Sequence, residues 1–262
     1  MSAGGDAALK AGNNITFDTI EKKDTQTTYG KEEVKNGSSF STTTTTTTNQ
    51  VKSGLTAGGD LKASAGNDIT LAGTDTKVSG NADLNAGNNL NIVARENSSV
   101  THSESHAAGW GMNDSVFGKT TTATDSTSIR NVGSNFEVGG NAGLGAKNDV
   151  TVQGSNVNVA GNGTINATNV NVLAGRNYDE TTSTTTRTGV LQVSSSSGAG
   201  ASSQAGAQAD SGRGRSAASA GASGEASAQG AAGLAFKSTT TTETKTTDLQ
   251  HVGATLGFGK DL

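Results

Sequence analysis

Gly59-Asp60-Leu61-Lys62-Ala63-Ser64-Ala65-Gly66-Asn67-Asp68-Ile69-Thr70-Leu71 is followed by a near copy, Gly80-Asn81-Ala82-Asp83-Leu84-Asn85-Ala86-Gly87-Asn88-Asn89-Leu90-Asn91-Ile92, at an offset of about 21 residues. In each copy apolar residues alternate with polar ones, the period of a strand with one buried face. Leu61, Ala63 and Ala65 fall on Ala82, Leu84 and Ala86, so a large residue in one copy tends to meet a small one in the next, as stacked coils with a narrow shared interior require. The unit is too short for a helix pair and suits a coil of roughly three short strands. The fold class it predicts is all-β: a parallel β-helix, right-handed because parallel crossovers nearly always are. Gly and Asn suit the corners because both accept positive φ, and stacked Asn side chains can hydrogen-bond from coil to coil.

Working outward, the unit recurs. Gly5, Ala7, Leu9, Ala11, Gly12, Asn13, Asn14, Ile15 and Phe17 repeat it before the doubled stretch, and Ala142, Leu144, Ala146, Val150 and Val152 repeat it after. A further coil carries Ile165, Ala167, Val170 and Val172, while Val157 and Val159 match Thr76 and Val78 as the third strand of a coil. The inward-facing core is predicted as Leu61, Ile69, Leu71, Leu84, Leu90, Ile92, Leu144, Val150, Val152, Ile165, Val170 and Val172. Residues 1–262 thus read as a single repeat module, with coils at about 4–17, 51–94, 132–176 and 251–262.

Between the coils lie excursions, at about 18–50, 95–131 and 177–250. Each has Thr-rich arms, and Asn36-Gly37 is a strong hairpin turn signal in the first. Phe40, Phe117 and Phe236 each precede a returning Thr run, which suggests equivalent hairpins. Strands polar on both faces specify register weakly and are open edges if isolated, so the hairpins are expected to stack into one extra sheet beside the rod. The Ser/Ala/Gly tract at 194–233 has almost nothing to bury and reads as a mobile loop.

Composition bounds the function. Hydrophobic residues are 31% and aromatics 3% of the chain, so a single large globular core is excluded and a solenoid is not. A net charge of −4 without a basic cluster leaves no footprint for nucleic acid. The chain has no cysteine and no proline, which suits an extracellular chain that passes a secretion pore unfolded. No secretion signal follows Met1, which reads as the start of a segment of something longer.

His102, Glu104 and His106 alternate and would project from one strand face, a spacing that could hold Zn²⁺, but a fourth ligand is not evident and a solvated face is the simpler reading. Asp60, Asp68, Asp83 and Asp149 recur at expected turns without the Gly-Gly-x-Gly-x-Asp unit of calcium-binding solenoids, so they read as turn caps. His251 reads as a corner residue. Acids and bases do not gather on one repeated face as a glycan-processing β-helix needs, so the chain is expected to be no enzyme and to hold no metal or cofactor. The large apolar residues outside the coils are Tyr29, Phe40, Trp110, Met112, Phe117, Leu191 and Phe236, candidate contacts for a partner or a membrane at the hairpin ends. The hairpin strands lack the lipid-facing alternation and aromatic girdles of a membrane barrel.

Ala57-Gly58-Gly59-Asp60-Leu61, Ala65-Gly66-Asn67-Asp68-Ile69-Thr70-Leu71 and His251-Val252-Gly253-Ala254-Thr255-Leu256 resemble the repeats of filamentous-haemagglutinin-type exoproteins. The alternation of coils with Ser/Thr-rich stretches resembles the second haemagglutinin-repeat region of contact-dependent growth inhibition exoproteins. The resemblance implies a bacterial surface protein exported by two-partner secretion, at the cell surface and the target-cell outer membrane. Its implied partners are that membrane or a surface receptor, neighbouring repeats of the same long chain and an outer-membrane secretion partner. The implied role is engaging the target membrane and helping a toxin across, the alternative being the stalk of an adhesin that binds host cells or matrix.

Overall fold

The computed structural model describes residues 1–34, 36–193, 204–209, 215–224 and 234–259, and side chains at 1–33, 36–191 and 237–259. Coil one is β1 (Ser2–Ala3), β2 (Ala7–Ala11) and β3 (Ile15–Phe17), after which the chain leaves through β4 (Ile20–Val34) and returns through β5 (Gly37–Val51). Two coils follow without interruption: β6 (Ser53–Ala57), β7 (Leu61–Ala65) and β8 (Ile69–Ala72), then β9 (Thr74–Val78), β10 (Ala82–Ala86) and β11 (Leu90–Val93). The second hairpin is β12 (Arg95–Trp110) and β13 (Ser115–Val132), joined through a short 3-10 turn at Met112–Asp114. Two more coils are β14 (Asn135–Val138), β15 (Ala142–Ala146) and β16 (Asp149–Gln153), then β17 (Asn156–Val159), β18 (Gly163–Asn166) and β19 (Asn169–Leu173). The third excursion runs β20 (Gly175–Val193), β21 (Gln204–Ala209), β22 (Arg215–Gly224) and β23 (Leu234–Val252), and β24 (Thr255–Phe258) opens a sixth coil.

Every coil strand pairs in parallel with its counterparts above and below, giving the sheet orders β1-β6-β9-β14-β17-β24, β2-β7-β10-β15-β18 and β3-β8-β11-β16-β19. This is a parallel β-helix, and its register keeps equivalent residues in line: Ile69, Leu90, Val150 and Val170 form one column, Leu71, Ile92, Val152 and Val172 another. The alternation does what the sequence pattern demands, since Leu61, Ile69, Leu71, Leu84, Leu90, Ile92, Leu144, Val150 and Val152 are all buried. Burying each such side chain stabilises the fold by about 1.5–3 kcal/mol. Ile165 is partly covered. Val170 and Val172 depart from expectation, being 48% and 46% exposed, because β19 is the edge of its sheet and no strand follows to cover their flank. Stacking of large on small is also not general: Ala63, Leu84 and Leu144 mix sizes, whereas the Ile69 column is large throughout.

The corners explain the Gly-Asx punctuation. Asp6, Asp60, Asn81 and Asn141 each accept, on Oδ1, the backbone N–H of the equivalent residue one coil on, at 2.7–2.9 Å. A Cβ on Gly59, Gly80, Gly140 or Gly161 would strike those same oxygens, which is why glycine precedes each rung. At the neighbouring corner Asp68 Oδ1 accepts the Asn89 N–H at 3.0 Å and the Asn88 side-chain amide at 2.9 Å. Asp60, Asp68 and Asp149 are turn caps of this kind, but Asp83 lies inside β10 instead of at a turn.

A third corner carries hydroxyls inward. Ser134 Oγ donates to the Leu71 and Val93 carbonyls at 3.0 and 2.8 Å and accepts the Thr74 N–H at 3.0 Å, while the Ser134 N–H donates to Ser155 Oγ at 2.9 Å. All three side chains are buried, so the backbone left unpaired where hairpins interrupt the coils is satisfied from within.

The excursions form one antiparallel sheet, ordered β4-β5-β12-β13-β20-β23-β22-β21. From β4 to β23 each strand enters or leaves one coil, so this sheet climbs one strand per coil beside the rod. Both lattices share a strand spacing of about 4.8 Å, which keeps them in step. The hairpins are not equivalent at their ends: the arms lengthen from 15 residues in β4 and β5 to 19 in β20 and β23. Within the tract expected to be a loop, β21 and β22 instead pair with each other and extend the sheet beyond β23. The rest of 194–233 lies outside the described residues.

Candidate interaction face

The hairpin sheet is a single layer whose two faces differ in chemistry. Thr43 Oγ1 meets Ser103 Oγ at 3.0 Å and Thr45 meets Thr101 at 3.1 Å on one face, while Thr25 meets Thr46 and Thr27 meets Thr44, both at 3.2 Å, on the other. The first, the threonine face, continues across β13 and β20 through Thr122 with Thr185 and Thr124 with Ser183. The opposite face carries the rings. Phe40 stacks on His106 with centroids 4.5 Å apart, and Trp110 meets Phe117 edge-on at 5.7 Å. By register and alternation Tyr29 and Val190 join them. Tyr29 is 78%, Trp110 64% and Phe40 55% exposed, a concentration of uncovered apolar surface at the outer end of one face.

Two other sequence candidates fall elsewhere. Met112 belongs to the turn that folds back over the threonine face, where its Sδ lies beside Gly109. Leu191 sits at positive φ, where the β13–β20 pairing skips a residue, and is 38% exposed. The side chain of Phe236 lies outside the described residues.

The turn explains a motif the sequence reading passed over. Gly37, Gly109, Gly118 and Gly189 stand side by side on four neighbouring strands. The turn packs on the last three: a Cβ on Gly118 would collide with Met112, and one on Gly189 with Ser115. Asn113 locks the arrangement, its Nδ2 donating to the Lys119 and Thr188 carbonyls at 3.0 and 3.1 Å and its Oδ1 accepting from Thr120 Oγ1 at 3.2 Å. Hairpins two and three are thereby pinned together directly behind Trp110 and Phe117. The signal was present as in-register glycines, but it becomes visible only once the strand pairing is known.

Ion pairs and amides tie the hairpins at their bases. Arg95 donates through Nε to Asp18 at 2.7 Å and through its terminal nitrogen to the second oxygen, and this bond holds the Asp18 carboxyl below the usual carboxylate range. Arg176 pairs with Glu96 at 3.0 Å, and Arg130 with Asp179 at 2.8 Å, which lowers the Asp179 pKa. The Gln50 N–H donates to Asn97 Oδ1 at 2.6 Å, and the Asn131 N–H donates to Asn177 Oδ1 at 2.9 Å, the same link repeated one hairpin later.

His102, Glu104 and His106 do share the aromatic face, yet they pair separately: His102 with Asp125 at 2.6 Å, which raises the His102 pKa, and His106 with Glu104 at 2.9 Å. Among the described residues, no group of three or more His, Cys, Asp or Glu is arranged to hold a metal ion. His251 is the last residue but one of β23, paired opposite Arg176, and so lies in a strand and not at a corner. Among the described residues, no helix is long and apolar enough to cross a membrane.

A Gly-Asx-laddered coil rod carrying a lateral Thr-rich sheet defines a β-helical repeat module. The hemagglutinin repeat family model matches residues 34–124 and 115–261, and the chain belongs to that family. Such a repeat marks a structural segment of a secreted, cell-surface exoprotein. Neither a curated protein nor a solved structure matches the chain.

Proposed function

We propose that this segment is a non-enzymatic part of a contact-dependent growth inhibition exoprotein, engaging the target-cell outer membrane and helping a toxin carried elsewhere in the full-length chain to cross it. The observation that carries the reading is the exposed ring cluster of Tyr29, Phe40, Trp110 and Phe117, held at the outer end of a sheet that projects from an otherwise polar rod. A rod needs no such surface for its own stability. The sheet stands clear of the coils, so its rim can reach a partner surface without unfolding the column.

The test is incubation of the 262-residue chain with outer-membrane vesicles from a candidate target bacterium, followed by protease. Association with the vesicles and protection of the hairpin arms is the expected result. Binding to host cells or matrix glycans, with no association with the vesicles, would replace this reading by that of an adhesin stalk, which the same rim could equally serve.

A further inference from the structure

The outer end of the aromatic face is cationic as well as apolar. Lys31 stands in the row of Phe40 and His106, Lys119 in the row of Ala108 and Glu33, and Lys237 in the row of Trp110, Phe117 and Val190. All three lysines are exposed, and among the described residues none of them forms an ion pair. Of the carboxylates at this end of the face, Glu104 is engaged by His106, while Glu33 and, in the row of Glu104, Glu243 remain as opposing charges.

The reverse of the sheet shows no exposed ring among the described residues: beside serine, threonine and the glycines beneath the Met112–Asp114 turn, its outer end has the single cation Arg187, with Glu32 in the same row. A layer so built cannot sit within hydrocarbon, where both faces and the open edge would be desolvated without partners. It can lie on a surface. Amphipathic rings settle at the boundary of headgroups and acyl chains, and lysine stems follow while their ammonium groups stay at the phosphates.

Resting on the target-membrane reading above, we propose that the outer half of this face is a peripheral docking site for an anionic lipid surface, with Trp110 and Phe117 entering the acyl boundary and Lys31, Lys119 and Lys237 meeting the headgroup phosphates. The free lysines argue for this occupant over a neutral one, and the rings argue for a lipid over a soluble polyanion, which would engage the ammonium groups and leave the indole in water.

Trp110 is the only tryptophan of the chain, so its emission reports the site directly. With vesicles of mixed phosphatidylcholine and phosphatidylglycerol the emission should shift to the blue and be quenched by brominated lipid; with phosphatidylcholine alone it should change little. Combining Lys31→Glu, Lys119→Glu and Lys237→Glu should weaken partitioning roughly hundredfold with the thermal melt unchanged, and Phe117→Ser should weaken it with the lysines intact. Unshifted emission on anionic vesicles, indifference to the lysine reversals, or an equal response to heparin without bromine quenching would each overturn the assignment. The two readings separate with native vesicles. Sedimentation with outer-membrane vesicles that ignores the reversals keeps the membrane role and removes the lipid site, whereas partitioning into anionic lipid without that sedimentation does the opposite.

Discussion

Leu90 in the rod is fully covered, while Thr44 in the hairpin sheet is only partly so, although both belong to ladders built strand on strand from the same chain. The rod curls its ladder on itself and hides one side chain in two, so its stability comes from a thin apolar column. The sheet hides nearly nothing. It persists because the inner strands pair along nearly their whole length, hydroxyls meet across strands, and its bases and one tip are tied by Asn97, Asn177 and Asn113. The difference teaches that stability and surface chemistry are assigned to separate lattices, so the outer sheet can change composition without disturbing the column.

The largest test of that division is Leu90→Ala, expected to cost about 3–4 kcal/mol by leaving a void between Ile69 and Val150. Urea unfolding followed by circular dichroism measures it, and a loss below about 1 kcal/mol would mean the column is not what holds the rod. Next comes Ser134→Ala, which strands the Thr74 N–H and removes a donor to the Leu71 and Val93 carbonyls. It should destabilise by about 1–3 kcal/mol despite removing a single oxygen, read by the same unfolding curves.

Thr76→Val runs the other way. Thr76 Oγ1 is buried between the Leu55 and Phe136 positions and has no hydrogen-bond partner, so the isosteric change should raise stability by about 1 kcal/mol. An unchanged or lower unfolding midpoint would show that the hydroxyl has found a partner in solution.

The smallest effect is acid sensitivity at the hairpin bases. Asp18 and Asp179 titrate below the carboxylate value of 3.8, so their bonds to Arg95 and Arg130 contribute above that pH and are lost as pH falls through the lowered values. Both pairs are partly exposed and screened, so the effect belongs to local opening and not to global unfolding. Proton NMR of the Thr19 and Asn131 amides should show loosening at acid pH, and Asp18→Asn should abolish the step at Thr19.

The coils were legible because period-two alternation and Gly-Asx corners are local signals: Gly59-Asp60 and Gly80-Asn81 can be aligned without knowing what they touch. Hairpin existence was legible for the same reason, through Asn36-Gly37 and the Thr arms. What depended on pairing was not. Val170 sits in the same polar-apolar alternation as Val150, but it has no strand on its far side. Met112 looked like a rim residue beside Trp110, yet the turn reverses it onto the other face. Phe40 and Phe117 precede similar Thr runs but fall in different rows, since the arms have unequal lengths.

The matched climb of rod and sheet also restricts how such a module can be extended. A lone extra turn of rod between two excursions would leave an unfilled slot in the outer sheet, whereas a pair of turns delivered together with one excursion leaves no seam. In this architecture length changes without a seam by whole cassettes of two coils and one hairpin.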